Sequence, residues 1–445
     1  GSVNSREHVS IEDGLRRAGF TITTESWLTR NTLRYEQAKQ AYAKDLPVRA
    51  KKLQSSEIFA MFSEPFQAPP PEAITEQDIV SSGTGTAIYV LSRNSGEGAD
   101  RRCVKGDYLL FEEEEEEQLR QLAQVYPRLI LLLNIGGILD LNQIKAIPGI
   151  NAILLMGQLG SAGGLALADV LSGKSSPSGK LTDTWAKSYQ AYPASASFSR
   201  NDGNTDDEYY TEGIYVGYRY YEKRQIKPAY AFGYGLSYTN FMISDLQLNH
   251  DRMDADAAEC VHASVRVRNI GRCTGKEVVQ LYISDVESTL DKPVKELKGF
   301  EKIELAPGEE KLVRFTITRQ MLESFDPEYG IWACESGLYR ILVGNSSDQI
   351  SCSADLRVKS RSIYDYSPRT CLKKLYDDPR SRAMLIETIH AVGLDENILA
   401  DELYYRKFRP IGVVLQNLPN ADPKRKEQSY QLFYQNIAKL DLTDC

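Results

Sequence analysis

The sequence predicts an α/β sandwich with a mainly parallel sheet, followed by an all-β sandwich and a small helical C-terminal region. Three observations carry this. Residues 1 to about 195 alternate short apolar runs with helix-sized segments, residues 241–358 switch to a period of two, and the last ~85 residues show helical spacing. The length of 445 residues agrees, since ~150 residues per domain predicts about three domains.

In the first segment the runs Ala87–Leu91, Leu129–Leu133 and Ala152–Met156 are apolar throughout and closed by Gly, Asn or Ser. Strands apolar on both faces belong in a buried parallel sheet. Between them Ile11–Ala18, Glu113–Tyr126 and Gly164–Leu171 have helix length, and strand–helix repetition implies an α/β sandwich over 1–195. The chain runs into its first helix with no strand before it, so the first strand of the sheet is expected outside this chain. Pro65 and Pro69-Pro70-Pro71 mark an extended loop. Residues 196–240, rich in Tyr, Gly and Asp without a period, read as an extended linker. In residues 241–358 every second residue of Val261–Arg268 is apolar, Val313, Phe315 and Ile317 repeat the pattern, and Asn269-Ile270-Gly271 and Pro307-Gly308 supply turns. In residues 359–445 helical spacing runs through Cys371–Tyr376, Ser381–Val392 and Gln428–Lys439.

Composition narrows the function class. The chain is 42% hydrophobic and 26% charged, and 53 Lys plus Arg against 61 Asp plus Glu leave a net charge of −8. That balance argues against nucleic acid or an anionic membrane as the main partner. No apolar run approaches the ~18 residues of a membrane span, and residues 1–30 show no signal-peptide pattern. Seven scattered cysteines without a CxxC pair read as thiols of a reducing compartment, so a cytoplasmic location is expected. Four well-separated histidines point to no metal site, and no cofactor motif appears. Gly160–Gly164 lacks the spacing of a phosphate loop and reads as a helix–strand packing site. Cys260 and Cys273 could pair across the β-sandwich, with free thiols the default. Glu112–Glu117 reads as a helix N-terminus whose carboxylates meet the positive dipole end while Leu119 and Leu122 turn inward. The tyrosines at 209, 210, 215, 218, 220 and 221 read as packing rings more than sugar platforms.

One segment carries candidate chemistry. Ser92-Arg93-Asn94-Ser95-Gly96-Glu97-Gly98-Ala99-Asp100-Arg101 follows directly on an apolar strand, and ligands of open α/β sheets collect at the carboxyl ends of strands. A carboxylate between two glycines can be brought close to another molecule. Arg93, Asp100 and Arg101 could hold the loop or tune the acid. On the residues alone, a surface turn with a solvated Glu is the simpler account.

The wider sequence changes that weighting. Lys105-Gly106-Asp107-Tyr108, Leu132-Leu133-Asn134-Ile135-Gly136-Gly137, Ala168-Asp169-Val170-Leu171-Ser172-Gly173 and Ser176-Pro177-Ser178-Gly179-Lys180-Leu181 follow in order. Glu212-Gly213-Ile214-Tyr215-Val216-Gly217-Tyr218-Arg219-Tyr220, Phe232-Gly233-Tyr234-Gly235-Leu236-Ser237-Tyr238 and Gly275–Tyr282 complete the series. Together, over roughly residues 1–358, they resemble the C-terminal α/β-sandwich and fibronectin type III-like domains of glycoside hydrolase family 3, the β-glucosidase family. The resemblance implies retaining hydrolysis of a β-linked glycoside, with Glu97 as general acid/base and an Asp nucleophile on a (β/α)8 barrel. It places Asp107 and Tyr108, with Arg93, Asp100 and Arg101, among candidate substrate-binding residues. A barrel needs ~200–250 residues, which this chain does not hold, and no Ser-Asp-Trp segment bears the nucleophile. The opening Val3-Asn4-Ser5-Arg6 resembles members that place the sandwich ahead of the barrel. The expectation is therefore one piece of a split or truncated enzyme, inactive alone and completed by a barrel chain or fragment, with homo-oligomers possible. The alternative is a non-catalytic carbohydrate-binding or scaffolding protein.

Overall fold

The computed structural model describes residues 7–94, 101–198, 201–204, 206–257, 259–327, 331–360 and 366–440. Its two compact units are Gly1–Tyr238 and Thr239–Cys445. The first holds a three-stranded sheet of order β1-β2-β3, from β1 (Thr86–Arg93), β2 (Arg128–Ile135) and β3 (Ile150–Leu155). Both pairings are parallel, with Val90 opposite Leu132 and Leu132 opposite Leu154. These are the three apolar runs read as strands. Leu129, Leu131, Leu132 and Leu133 of β2 are almost wholly buried, as a central parallel strand covered on both faces requires.

Helices α1 (Ile11–Arg17), α5 (Glu117–Val125), α6 (Leu141–Lys145) and α7 (Gly163–Leu171) fill the connections. Ser10 caps α1 by accepting from the Asp13 amide. Gly164 is not a helix–strand contact, as its sequence context suggested. It lies against α1: a Cβ there would run into the Ser10 carbonyl oxygen, and one at Gly14 into the Gly164 carbonyl. Two bare backbones thus cross where any side chain would hold them apart.

The largest element missed by the sequence is α2 (Glu25–Lys52), which with α3 (Glu57–Ser63) and α4 (Glu76–Ser82) separates α1 from β1. Of the 28 residues of α2 only Ala50 is buried, and Pro47 sits inside it, so no apolar stripe announces the helix. Its partner is the proline-rich return. The Phe66 ring packs against Tyr35 and Tyr42, and the Trp27 indole donates to the Glu72 and Ala73 carbonyls. Asp78 closes the arrangement. It exchanges capping-box bonds with Thr75 at the start of α4 and accepts from Arg30 of α2 at 2.8 Å. The short helix α8 (Tyr218–Lys223) carries part of the tyrosine cluster: Tyr221 is buried and donates to the Ala191 carbonyl, whereas Tyr209 and Tyr210 are exposed.

The second unit contains β4 (Phe241–Leu248), β5 (Arg252–Asp254), β6 (Val261–Asn269), β7 (Gly275–Asp285), β8 (Glu296–Leu305) and β9 (Glu310–Ile317). It continues through α9 (Arg319–Leu322), β10 (Ser324–Asp326), β11 (Ile331–Ala333), β12 (Gly337–Ser346) and β13 (Gln349–Lys359). A sheet of order β5-β13-β12-β7-β8 and a sheet of order β4-β6-β9 provide one core, and β10 pairs with β11. Every pairing is antiparallel except the short one between β5 and β13. Val261, Ala263, Val265 and Val267 all face inward, as the alternation predicts. Gly308 supplies the positive φ for the turn between β8 and β9. Asn269 is fully buried and donates to the Cys273 and Leu305 carbonyls, which fixes the turn after β6. Cys260 and Cys273 are separate thiols.

The chain ends in α10 (Leu372–Asp377), α11 (Pro379–Ala391), α12 (Ile398–Arg406), α13 (Ile411–Gln416) and α14 (Pro423–Leu440). These helices share their own core of Leu372, Leu385, Ile389, Ile411 and Phe433. The middle pair, α12 and α13, was not read from the sequence because each is short and broken by the Phe408–Pro410 turn.

Gly164→Ala should unseat α1 and destabilise the protein by about 1–3 kcal/mol in urea unfolding; a change below ~0.5 kcal/mol would refute the close crossing. Burial alone would raise the Asp78 carboxyl, but hydrogen bonds from Thr75 and Arg30 outweigh it and hold the group below its ordinary value. A carboxyl lowered in the fold stabilises above its unfolded pKa, and that stability is lost as pH falls through the folded value. Asp78→Asn should therefore cost about 1–2 kcal/mol at neutral pH, and the gap from wild type should close as the medium is acidified below pH ~4.

Candidate functional site

The candidate site begins where β1 stops. The register Ser92↔Asn134 and Arg93↔Ile135 carries β1 and β2 to the same edge of the sheet, and Asn134 Nδ2 donates to Ser92 Oγ at 3.1 Å. Residues 95–100 follow β1 in the sequence. Glu97 and Asp100 are among them, outside the described residues. The residues that flank them are placed.

Arg93, the last residue of β1, turns inward. Its Nη1 and Nη2 donate to Glu115 Oε1 and Oε2 at 2.8 and 2.5 Å, a bidentate ion pair in which both side chains are only 6% exposed. The rest of the guanidinium is also used: Nε donates to the Asp107 carbonyl, Nη1 to the Ser92 carbonyl and Nη2 to the Leu109 carbonyl. Glu115 Oε2 accepts in addition from the Phe111 amide. A buried pair of this kind is tolerable because every donor and acceptor around it finds a partner.

At the other end Arg101 donates from Nε to Asp107 Oδ1 at 2.7 Å, from Nη2 to the Asp107 carbonyl at 2.7 Å and from Nη1 to the Ile138 carbonyl at 2.6 Å. Asp107 Oδ2 accepts from the Arg102 amide. Asp107 thus joins the two ends of the loop, its carbonyl shared by Arg93 and Arg101 and its carboxylate held by residues 101 and 102. Gly106 makes the turn before it with φ +77°, and a Cβ there would overlap the Phe111 ring, so only glycine fits. The Leu110 amide donates to Gln143 Oε1 of α6, tying the far side of the turn to the sheet layer.

Tyr108 is buried as well, with its ring edge-to-face on Tyr189 at 5.4 Å and its carbonyl accepting from the Asp140 amide. Burial, then the neighbouring Tyr192 and Asp140, push its phenol well above the ordinary tyrosine value. It remains a neutral hydrogen-bonding group across the physiological range. Among the described residues no group of three or more His, Cys, Asp or Glu is placed to hold a metal ion.

Of the sequence-derived candidates, Arg93, Arg101, Asp107 and Tyr108 are therefore brought together, and each is engaged inside the fold. Glu115 was missed. It was read as one of six dipole-facing carboxylates, but it lies four and seven residues before Leu119 and Leu122 and so shares their buried face. That spacing was the available signal.

The profile of the glycosyl hydrolase family 3 C-terminal domain matches residues 1–218, and that of the fibronectin type III-like domain matches residues 277–347. The chain belongs to glycoside hydrolase family 3. It is 36% identical over 292 residues to thermostable beta-glucosidase B of Acetivibrio thermocellus, covering 65% of this chain and 37% of that one. It is 35% identical over 317 residues to beta-glucosidase A of Butyrivibrio fibrisolvens, covering 62% and 38%. Beta-glucosidase 3B from Thermotoga neapolitana, solved with glycerol, superposes with a TM-score of 0.66 at 32% identity over 81% of this chain and 47% of the other. The family 3 chain described here thus spans less than half the length of these relatives.

A clear stability consequence attaches to the ion pair. Removing one partner strands the other charge in the interior, at a cost of about 3–5 kcal/mol. Glu115→Gln should lose that much in urea unfolding, while Glu114→Gln, one residue earlier, should change stability by less than ~0.5 kcal/mol. Equal effects at the two positions would refute the special role of Glu115.

Proposed function

We propose that this chain supplies the general acid/base, Glu97, of a retaining β-glucosidase whose nucleophilic Asp lies on a (β/α)8 barrel outside it. The observation that carries the reading is the anchoring of the residues on either side of 95–100, by Arg93–Glu115 at the carboxyl end of β1 and by Arg101–Asp107 beyond. The family membership and the beta-glucosidase relatives support the reaction class.

The chemistry sets what the loop must achieve. Retaining hydrolysis requires two carboxyl groups ~5–5.5 Å apart. One attacks the anomeric carbon while the other protonates the departing glycosidic oxygen, and the second then deprotonates the water that releases the sugar. In this reading Glu97 is the proton carrier, and Arg93, Arg101, Asp107 and Glu115 are positioning residues that act through the loop. Asp100 and Tyr108 are assigned to the same support, with sugar contact left to side chains of the barrel. Substrate is a β-linked glycoside, and no cofactor enters the reaction.

The test supplies the barrel polypeptide in trans. This chain alone should not turn over a β-glucoside, and the reconstituted pair should. In the pair, Glu97→Gln should lower kcat/KM on an alkyl β-glucoside by about 10²–10⁴-fold, far less on an activated aryl glucoside, and should abolish the alkaline limb of the kcat/KM profile. That limb reports loss of the acid's proton. Unchanged turnover of the alkyl glucoside would overturn the assignment.

A second reading, a carbohydrate-binding protein without turnover, draws on the exposed edge-to-face pair Phe325 and Trp332 on β10 and β11. It requires sugar affinity in the isolated chain that survives Glu97→Gln and disappears with Trp332→Ala.

A further inference from the structure

The α2–α3 hairpin ends in an apolar surface that the first unit leaves uncovered. Val48 and Leu53 at the end of α2, with Ile58, Phe59, Met61 and Phe62 of α3, are 37–67% exposed. Isolated exposed hydrophobics are ordinary, but six within fifteen residues at one tip are not. Their exposure does not come from a loosely held helix. Ala60 of α3 is fully buried, Ser56 caps the helix by accepting from the Phe59 amide, and Arg49 of α2 pairs with Glu64 at 2.9 Å. Tyr42 also donates to the Glu64 carbonyl. The seat of α3 on α2 is fixed by these contacts, while the six apolar side chains keep much of their surface open.

We infer that this tip is a self-association surface on which a second copy of the chain docks about a two-fold axis. Charge and area select that occupant. The rim carries both signs: Lys51 and Lys52 close α2, Glu57 opens α3, and all three are exposed. A two-fold interface meets its own patch, so residue i of one copy faces j of the other and j faces i. A rim with positive charge at one end and negative at the other therefore matches its own rotated copy. Aromatic side chains bring ~150–250 Å² each, so at these exposures the patch holds an apolar area on the order of 500 Å². With the methylene stems of Lys51 and Lys52 added, it approaches the ~800 Å² per partner of a standard stable interface. The inference is independent of the glycosidase reading, because none of these residues belongs to the loop of Glu97 or its anchors.

Sedimentation equilibrium of the full chain between ~1 and 100 μM decides it. The wild type should form dimers within this range. Ile58→Asp combined with Phe59→Glu should give a monomer with an unchanged far-UV circular dichroism spectrum. A charge series guards against misfolding: Lys51→Glu with Lys52→Glu should weaken the dimer at least ten-fold, and adding Glu57→Lys should restore most of the loss by inverting the whole rim. A wild type that is monomeric throughout would overturn the inference. So would a dimer indifferent to the apolar double variant, or a weakened dimer that the third charge change fails to rescue.

Discussion

A guanidinium and a carboxylate shut away from water, Arg93 with Glu115, set the geometry on which the loop region of this protein depends. The pair joins the last residue of a central-layer strand to the first turn of the helix that covers it, and the segment between them is organised by the bonds left over. Arg93 reaches back to the carbonyls of Asp107 and Leu109, and Glu115 reaches to the Phe111 amide. The Arg93 guanidinium also lies 5.7 Å from the Phe111 ring centroid. The helix accommodates the carboxylate through a π turn over Glu112–Glu116, in which the Glu116 amide bonds the Phe111 carbonyl five residues back. Glu115 is buried there on the same face as Leu119 and Leu122.

The same network explains why two arginines so near a proposed acid need not act on substrate. Arg93 has its donors committed to Glu115 and three carbonyls, and Arg101 has its committed to Asp107 and Ile138. Guanidinium groups are suited to this because five donors in a rigid fork can tie several backbone segments at once, which lysine could not do. Asp107 receives both arginines and is the hub of the arrangement. Its carbonyl accepts from both Arg93 and Arg101 and its carboxylate from Arg101, so residues 93 and 101 are tied to one point.

Much of the fold was legible because burial writes itself into periodicity. Strands β1 and β2 appeared as apolar runs, and β6 and β9 as strict alternation, since there the solvent boundary coincides with the local repeat; β3 shows the same apolar run although Ile153 and Leu155 are exposed. The failures came where that coincidence breaks. Helix α2 covers little and is covered by little, so its sequence has no stripe to read, and its proline points the wrong way. Gly164 was recognised as a packing glycine but given the wrong partner, because closeness between α1 and α7 is a tertiary fact that no local spacing reveals. At the candidate site the identity of Arg93, Arg101 and Asp107 was visible, yet their mutual bonding was not. Glu115 was hidden among five similar residues, and only its phase relative to Leu119 and Leu122 set it apart.

The division of labour proposed for Glu97 gives the anchors a physical purpose. A proton donor attached to one folding unit and a nucleophile attached to another must meet at ~5–5.5 Å, and a misplacement near 1 Å can cost ~10²-fold in rate. Glycines on either side of Glu97 give the backbone freedom to reach, but freedom alone would spread the carboxyl over many positions, each ordered residue costing about 1–2 kcal/mol to fix. With residues 93 and 101 held in the fold, the proposed acid would be carried between two fixed flanks. A loop with only one of these properties would either fail to cross the boundary or arrive in too many orientations to transfer a proton.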